Sequence, residues 1–89
     1  YRPMRGRELV GRNIKRIQVA RGVSQEQLAF DASVDRSYLG GVERCDENPS
    51  VDTLDKIAAV LGVPLAEIFL PIETEAGTPG LRPGRKKRA

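Results

Sequence analysis

The stretch Ser24 to Arg44, SQEQLAFDASVDRSYLGGVER, admits few folds because it carries two helix start signals only eleven residues apart. Ser24 can cap one helix, with Gln27 three residues on to complete a capping box and Val23 and Leu28 flanking as a hydrophobic staple. Asp35 can cap a second helix, with Val34 and Leu39 as its staple. Two caps this close leave room for about two helical turns and then a sharp corner. The spacing therefore predicts helices over about 25–32 and 35–44 joined by a tight turn. Leu28 and Ala32 give the first helix an inward face, and Leu39 and Val42 give one to the second. Small Ala29 falls where the two must cross closely.

The outward face of the second helix then reads Arg36, Ser37, Gly40, Gly41 and Arg44. A helix pair with a protruding, polar second helix has the shape that enters a DNA major groove. Arg36 is the first candidate for base readout, because a guanidinium meets guanine O6 and N7 with two parallel hydrogen bonds. Ser37 suits a base or a phosphate. Two readings of Tyr38 are open: its hydroxyl on a phosphate, or its ring packed against the preceding helix. Gly40 and Gly41 cost the helix roughly 1 kcal/mol each relative to alanine. They either let the helix lie close to the bases, leaving room at Gly41 for a thymine methyl, or are tolerated drift. Arg44 suits both the helix dipole and a phosphate. Ser24 and Gln25 open the first helix, whose free N–H groups suit a phosphate oxygen.

The flanking sequence supplies a core. Val10, Ile14 and Ile17 recur at helical spacing over about Arg7–Arg21, and Gly22 stops that helix. Asn48-Pro49 signals a turn, and Ser50 caps a helix over about Val51–Leu61, striped by Leu54, Ile57, Ala58 and Leu61. A short fifth helix over about Pro64–Phe69 offers Leu65, Ile68 and Phe69. The expected architecture is all-α: one compact five-helix domain over 7–70, a loose N-terminus over 1–6, and a disordered, basic, Pro/Gly-rich tail over 71–89.

Charge is distributed unevenly. Residues 1–21 carry seven Lys/Arg and one Glu, residues 22–76 three against eleven Asp/Glu, and residues 77–89 five and none. Basic ends can meet phosphate while the acidic middle turns away, although basic tails also serve plain solubility. With no histidine and one cysteine, Cys45, neither an internal disulfide nor a zinc site is expected. No nucleophile–base pair or phosphate loop is legible, so no catalytic residue and no cofactor is expected. No apolar run approaches the roughly 20 residues of a membrane span, and a cytoplasmic setting is expected.

The segments SQEQLA, VDRSYLGGVER and NPSVDTLDKIAAVLGVPLAEIF together resemble the lambda-repressor/Cro-like, or XRE-type, helix-turn-helix family over about Ile14–Phe69. Ser33 and Cys45 stand where that family often has glycine, and Gly40-Gly41 where it has larger side chains. The resemblance implies a sequence-specific regulator of transcription on double-stranded DNA, acting as a homodimer through the helix 4–5 region on a (pseudo)palindromic operator. It implies phosphate contacts from Gln25 and from Asn48 in the loop, and a structural ion pair between Arg16 and Glu43. No small-molecule ligand is expected. The competing reading is a protein-interaction module, such as an antitoxin-type protein, that binds a partner protein as well as or instead of DNA; the acidic middle and the two glycines favour it. Removing residues 77–89 is expected to flatten the salt dependence of DNA binding, by about 0.9 in log–log slope for each phosphate that the tail neutralises. Titration of a labelled duplex at several salt concentrations reads this directly, and an unchanged slope makes the tail a bystander.

Overall fold

The computed structural model describes residues 5–72, so residues 1–4 and most of the expected tail, from residue 73 on, lie outside the described residues. The described chain forms four α-helices, α1 Gly6–Arg21, α2 Gln25–Ala32, α3 Arg36–Glu43 and α4 Val51–Leu61, followed by a 3₁₀ segment, Leu65–Phe69. The start signals act as read from the sequence. Ser24, Asp35 and Ser50 are extended, and their side chains accept the backbone N–H of Gln27, Tyr38 and Thr53. One detail differs. The Gln27 side chain does not return to close a capping box; it donates to Asp31 one turn ahead at 2.8 Å.

All four described helices stop in the same way. Gly22, Ser33, Cys45 and Gly62 take the left-handed conformation, with φ of 68°, 58°, 70° and 72°. In each case the next residue donates its N–H back into the last turn: Val23 to Gln18, Val34 to Ala29, Asp46 to Gly41 and Val63 to Ala58. Val23, Val34 and Val63 thereby fold onto the core, closing three of the turns with an apolar contact. The corner between α2 and α3 is thus one left-handed residue, one apolar residue and one cap.

Among the described residues, thirteen side chains make the apolar core, from Val10, Ile14 and Ile17 on α1 to Leu54, Ile57, Ala58 and Leu61 on α4 and Ile68 on the 3₁₀ segment. Leu28, Ala29 and Ala32 of α2 and Leu39 and Val42 of α3 complete it. The last element is tighter than the α-helix expected there. Pro64 is an extended cap rather than its first helical residue, and Leu70, before Pro71, is extended as well. The six residues between Pro64 and Pro71 leave no length for a second α-helical turn. Ile68 is buried, but Phe69 stays 41% exposed.

Two polar features set how α1 is held. Asn13 is fully buried; its Nδ2 donates to the carbonyls of Leu9, Ile68 and Leu70 at 2.9–3.0 Å, and its Oδ1 accepts from Arg16 at 2.8 Å. That carboxamide ties the first helix to the end of the last segment. At Gly11, α1 crosses α3 so closely that a Cβ would lie 2.5 Å from the carbonyl oxygen of Val42.

Gly11→Ala should therefore destabilise the fold by about 1–3 kcal/mol, since the clash is with backbone and outweighs the roughly 1 kcal/mol gain in helix propensity. Ser33→Gly should stabilise it by about 0.5–1 kcal/mol, because left-handed backbone is strained for a side chain. Urea unfolding followed by circular dichroism measures both, and the two shifts should be of opposite sign.

Candidate nucleic-acid interface

The exposed start of α3 is rigid because three things converge on it. Asp35 Oδ2 accepts the Tyr38 N–H at 3.0 Å, Leu39 is fully buried, and Val34 packs on the core just before the helix. On this first turn Arg36 and Ser37 are exposed and project from a fixed backbone. Tyr38 is half-buried and packs against the core. At the start of α2, Ser24 is exposed and occupied as a cap by the Gln27 N–H. The preceding N–H groups, on Gln25 and Glu26, have no intrahelical acceptor.

The second turn of α3 differs from expectation. Gly40 and Gly41 are buried, not presented outward. A Cβ on Gly41 would stand 2.7 Å from Glu47 Cγ, so the loop after α3 folds its glutamate over that position. Gly41 is therefore not an open contact point for a base. Gly40 is where two polar groups meet: the position of a Cβ there is 3.2 Å from Arg44 Nη1 and 3.6 Å from Gln25 Oε1. The absent side chain leaves room over Gly40 for the Gln25 amide and the Arg44 guanidinium. Arg44 is exposed, and its Nε lies 3.3 Å from Asp46 Oδ2.

The expected Arg16–Glu43 pair is not formed. Arg16 donates to Asn13 and approaches Glu67 at 3.9 Å, whereas Glu43 Oε1 is met by Lys15 Nζ at 3.7 Å and by Gln25 Nε2 at 3.2 Å. The reason is helical phase. Lys15 is one turn beyond Gly11, the point where α1 crosses α3, so it faces α3. Arg16 is three residues beyond Asn13 and faces the 3₁₀ segment instead. Glycine inside an otherwise regular helical pattern is the sequence signal for such a crossing. The role of Asn13 has no comparable signal, since the residue reads in sequence as an ordinary polar helix position.

Asn48 is exposed and lines a hollow of about 480 Å³ with Arg5, Arg7, Pro49, Val51 and Phe69. Arg7 also reaches the carbonyl of Asp46 at 3.3 Å, which holds that loop against α1.

The chain is similar to known proteins in sequence and fold. The Helix-turn-helix family model matches residues 14–68. The immunity repressor protein of Bacillus phage phi105 is 44% identical over 59 residues, which cover 66% of this chain but only 41% of that repressor. The HTH-type transcriptional regulator y4dJ of Sinorhizobium fredii is 38% identical over 73 residues, covering 81% of this chain and 95% of that protein. Among solved structures, the restriction-modification controller protein C.AhdI of Aeromonas hydrophila superposes with a TM-score of 0.69 at 40% identity, over 71% of this chain and 96% of that one.

A double-mutant cycle separates the two pairings of Glu43. Lys15→Ala with Glu43→Ala should show a coupling of about 0.5–1 kcal/mol in urea unfolding, kept small by the exposure of Lys15. Arg16→Ala with Glu43→Ala should be additive.

Proposed function

The chain belongs to the helix-turn-helix family, and from that premise we propose that it is a sequence-specific, double-stranded DNA-binding regulator of transcription that works in the cytoplasm as a homodimer. The observation that carries this reading is the first turn of α3, where Arg36 and Ser37 are exposed on a backbone fixed by the Asp35 cap and the burial of Leu39. That turn enters the major groove and its side chains read base edges. Phosphates on either side are held by Gln25 and the free N–H groups at the start of α2, by Ser24, by Arg44, and by Asn48 in the following loop. These contacts set the register; Arg36 supplies discrimination. Tyr38 serves from beneath, as part of the support for that turn. The relatives in restriction-modification control and phage immunity support a regulator over an enzyme.

Dimer formation is supported by the apolar surface beside the hollow. Val51 is 61% exposed, Phe69 41% and Leu70 40%. They lie around the start of α4 and the end of the 3₁₀ segment, the region that the family resemblance assigns to a second copy. Two copies related by a twofold axis present two α3 helices to half-sites about one turn of DNA apart.

A second reading has one observation in its favour. Phe30 is 78% exposed on α2, beside the exposed acids Glu26 and Asp31. A protein partner on that face would keep the fold but not need the groove.

Selection of bound duplexes from a random pool at about physiological salt tests the choice, because electrostatic attraction alone is weak there. A palindromic motif supports the dimeric regulator; no motif, with binding lost as salt rises, rejects it. On the selected duplex Arg36→Ala should relax preference at one position in each half-site, costing about 1–3 kcal/mol against the favoured base. Arg44→Ala should weaken all sequences alike and lower the salt slope by about 1. Competition binding with single-base variants of the site distinguishes the two.

A further inference from the structure

Glu43 is an unusual residue to bury at the end of α3. Its side chain is 5% exposed, in the protein's most cation-poor region. One carboxylate oxygen, Oε1, accepts from Gln25 Nε2 at 3.2 Å and faces Lys15 Nζ at 3.7 Å. The other, Oε2, is buried with no hydrogen-bond partner among the described residues. Lys15 is a weak counter-charge, since its side chain is 60% exposed and remains largely hydrated. A buried carboxylate with one oxygen unsatisfied costs stability, so its retention calls for something other than stability.

The geometry supplies that something. Gln25 is the first residue of α2 and half-buried, and its carboxamide lies over Gly40, with Arg44 Nη1 on the same position. A free glutamine side chain has three rotatable bonds and samples many rotamers. Here one of its two Nε2 hydrogens is committed to Glu43, which restrains the amide. The other makes no hydrogen bond among the described residues.

We infer that Glu43 is a positioning residue for DNA binding: it orients the Gln25 carboxamide so that the amide meets a backbone phosphate beside Arg44 without losing rotamer freedom on binding. The inference rests on the proposed phosphate contact of Gln25. Glu43 itself touches no DNA, because a carboxylate facing a phosphate would repel it. Lys15 offsets its charge from the α1 side. The unit thus spans three helices: α1 supplies neutralisation, α3 the anchor and α2 the contact. It accounts for Gly40 as well, since the side chains of Gln25 and Arg44 converge over that residue.

The test is a cycle of duplex-binding measurements with the full chain, by fluorescence anisotropy on the selected duplex at one salt concentration, well below each variant's unfolding midpoint. Gln25→Ala and Glu43→Ala should each weaken binding about three- to tenfold on all sequences, the loss of one net hydrogen bond. The double variant should be no weaker than either single one. Glu43→Gln keeps an acceptor oxygen but removes the charge opposite Lys15, and should recover most of the affinity lost in Glu43→Ala. In the free protein, the Gln25 side-chain amide resonances should shift in Glu43→Ala and stay near their original place in Glu43→Gln. Additive losses in the double variant overturn the positioning role, as does a Glu43→Gln as weak as Glu43→Ala, which would make the charge pair the sole contribution. No loss in Gln25→Ala overturns the phosphate contact itself, and the inference with it.

Discussion

A single buried carboxamide holds the ends of this domain together. Asn13 shares its two Nδ2 hydrogens among the carbonyls of Leu9, Ile68 and Leu70 and takes Arg16 on its oxygen. The 3₁₀ segment is short, and the chain after it is extended. The buried carbonyl of Ile68 would lose its Asn13 donor if that residue were apolar, at about 1–3 kcal/mol for a group left unsatisfied. With the clasp in place, Ile68 closes the core between α1 and α4, and Phe69 and Leu70 are left at the surface in fixed positions. The surface proposed for dimer contact is therefore a consequence of a polar interaction at the opposite end of the sequence.

The second constraint is the close passage of α1 over α3 at Gly11. It brings the two backbones together at Val42 and Glu43. A larger residue would push α3 outward and tilt the turn that bears Arg36. The same crossing decides which cation of the Lys15-Arg16 pair meets Glu43, since only the residue one turn beyond Gly11 faces α3. The geometry of the reading helix is thus set from behind by a glycine on a different helix, and from the front by the Asp35 cap. Neither group is on the exposed face they control.

The turns show how much a small domain depends on local backbone chemistry. Each helix closes through one left-handed residue, and in two of the four that residue carries a side chain. Ser33 and Cys45 bear strain of about 1–2 kcal/mol each relative to a relaxed backbone. The fold tolerates it because the residues on both sides are held by caps and core contacts. That is why departures from glycine at these positions, visible in the sequence, leave the helix-turn-helix geometry intact.

Helix boundaries, caps and the inward faces were legible in the sequence because they depend on short-range rules: a cap and its N–H lie three residues apart, and a core stripe repeats every three or four. The bounds of α2 and α4 follow directly from Ser24, Ser33, Ser50 and Gly62. The exposure of Arg36 and Ser37 was legible for the same reason, as the face opposite Leu39 and Val42. The partners of polar groups were not. The burial of Gly41 under Glu47, the choice of Lys15 over Arg16, the anchoring of Gln25 on Glu43 and the clasp at Asn13 join residues between 6 and 57 positions apart. Helical period says which way a side chain points from its own axis, but not what stands there. That depends on how closely and at what angle the helices cross, and only the packed tertiary structure fixes it.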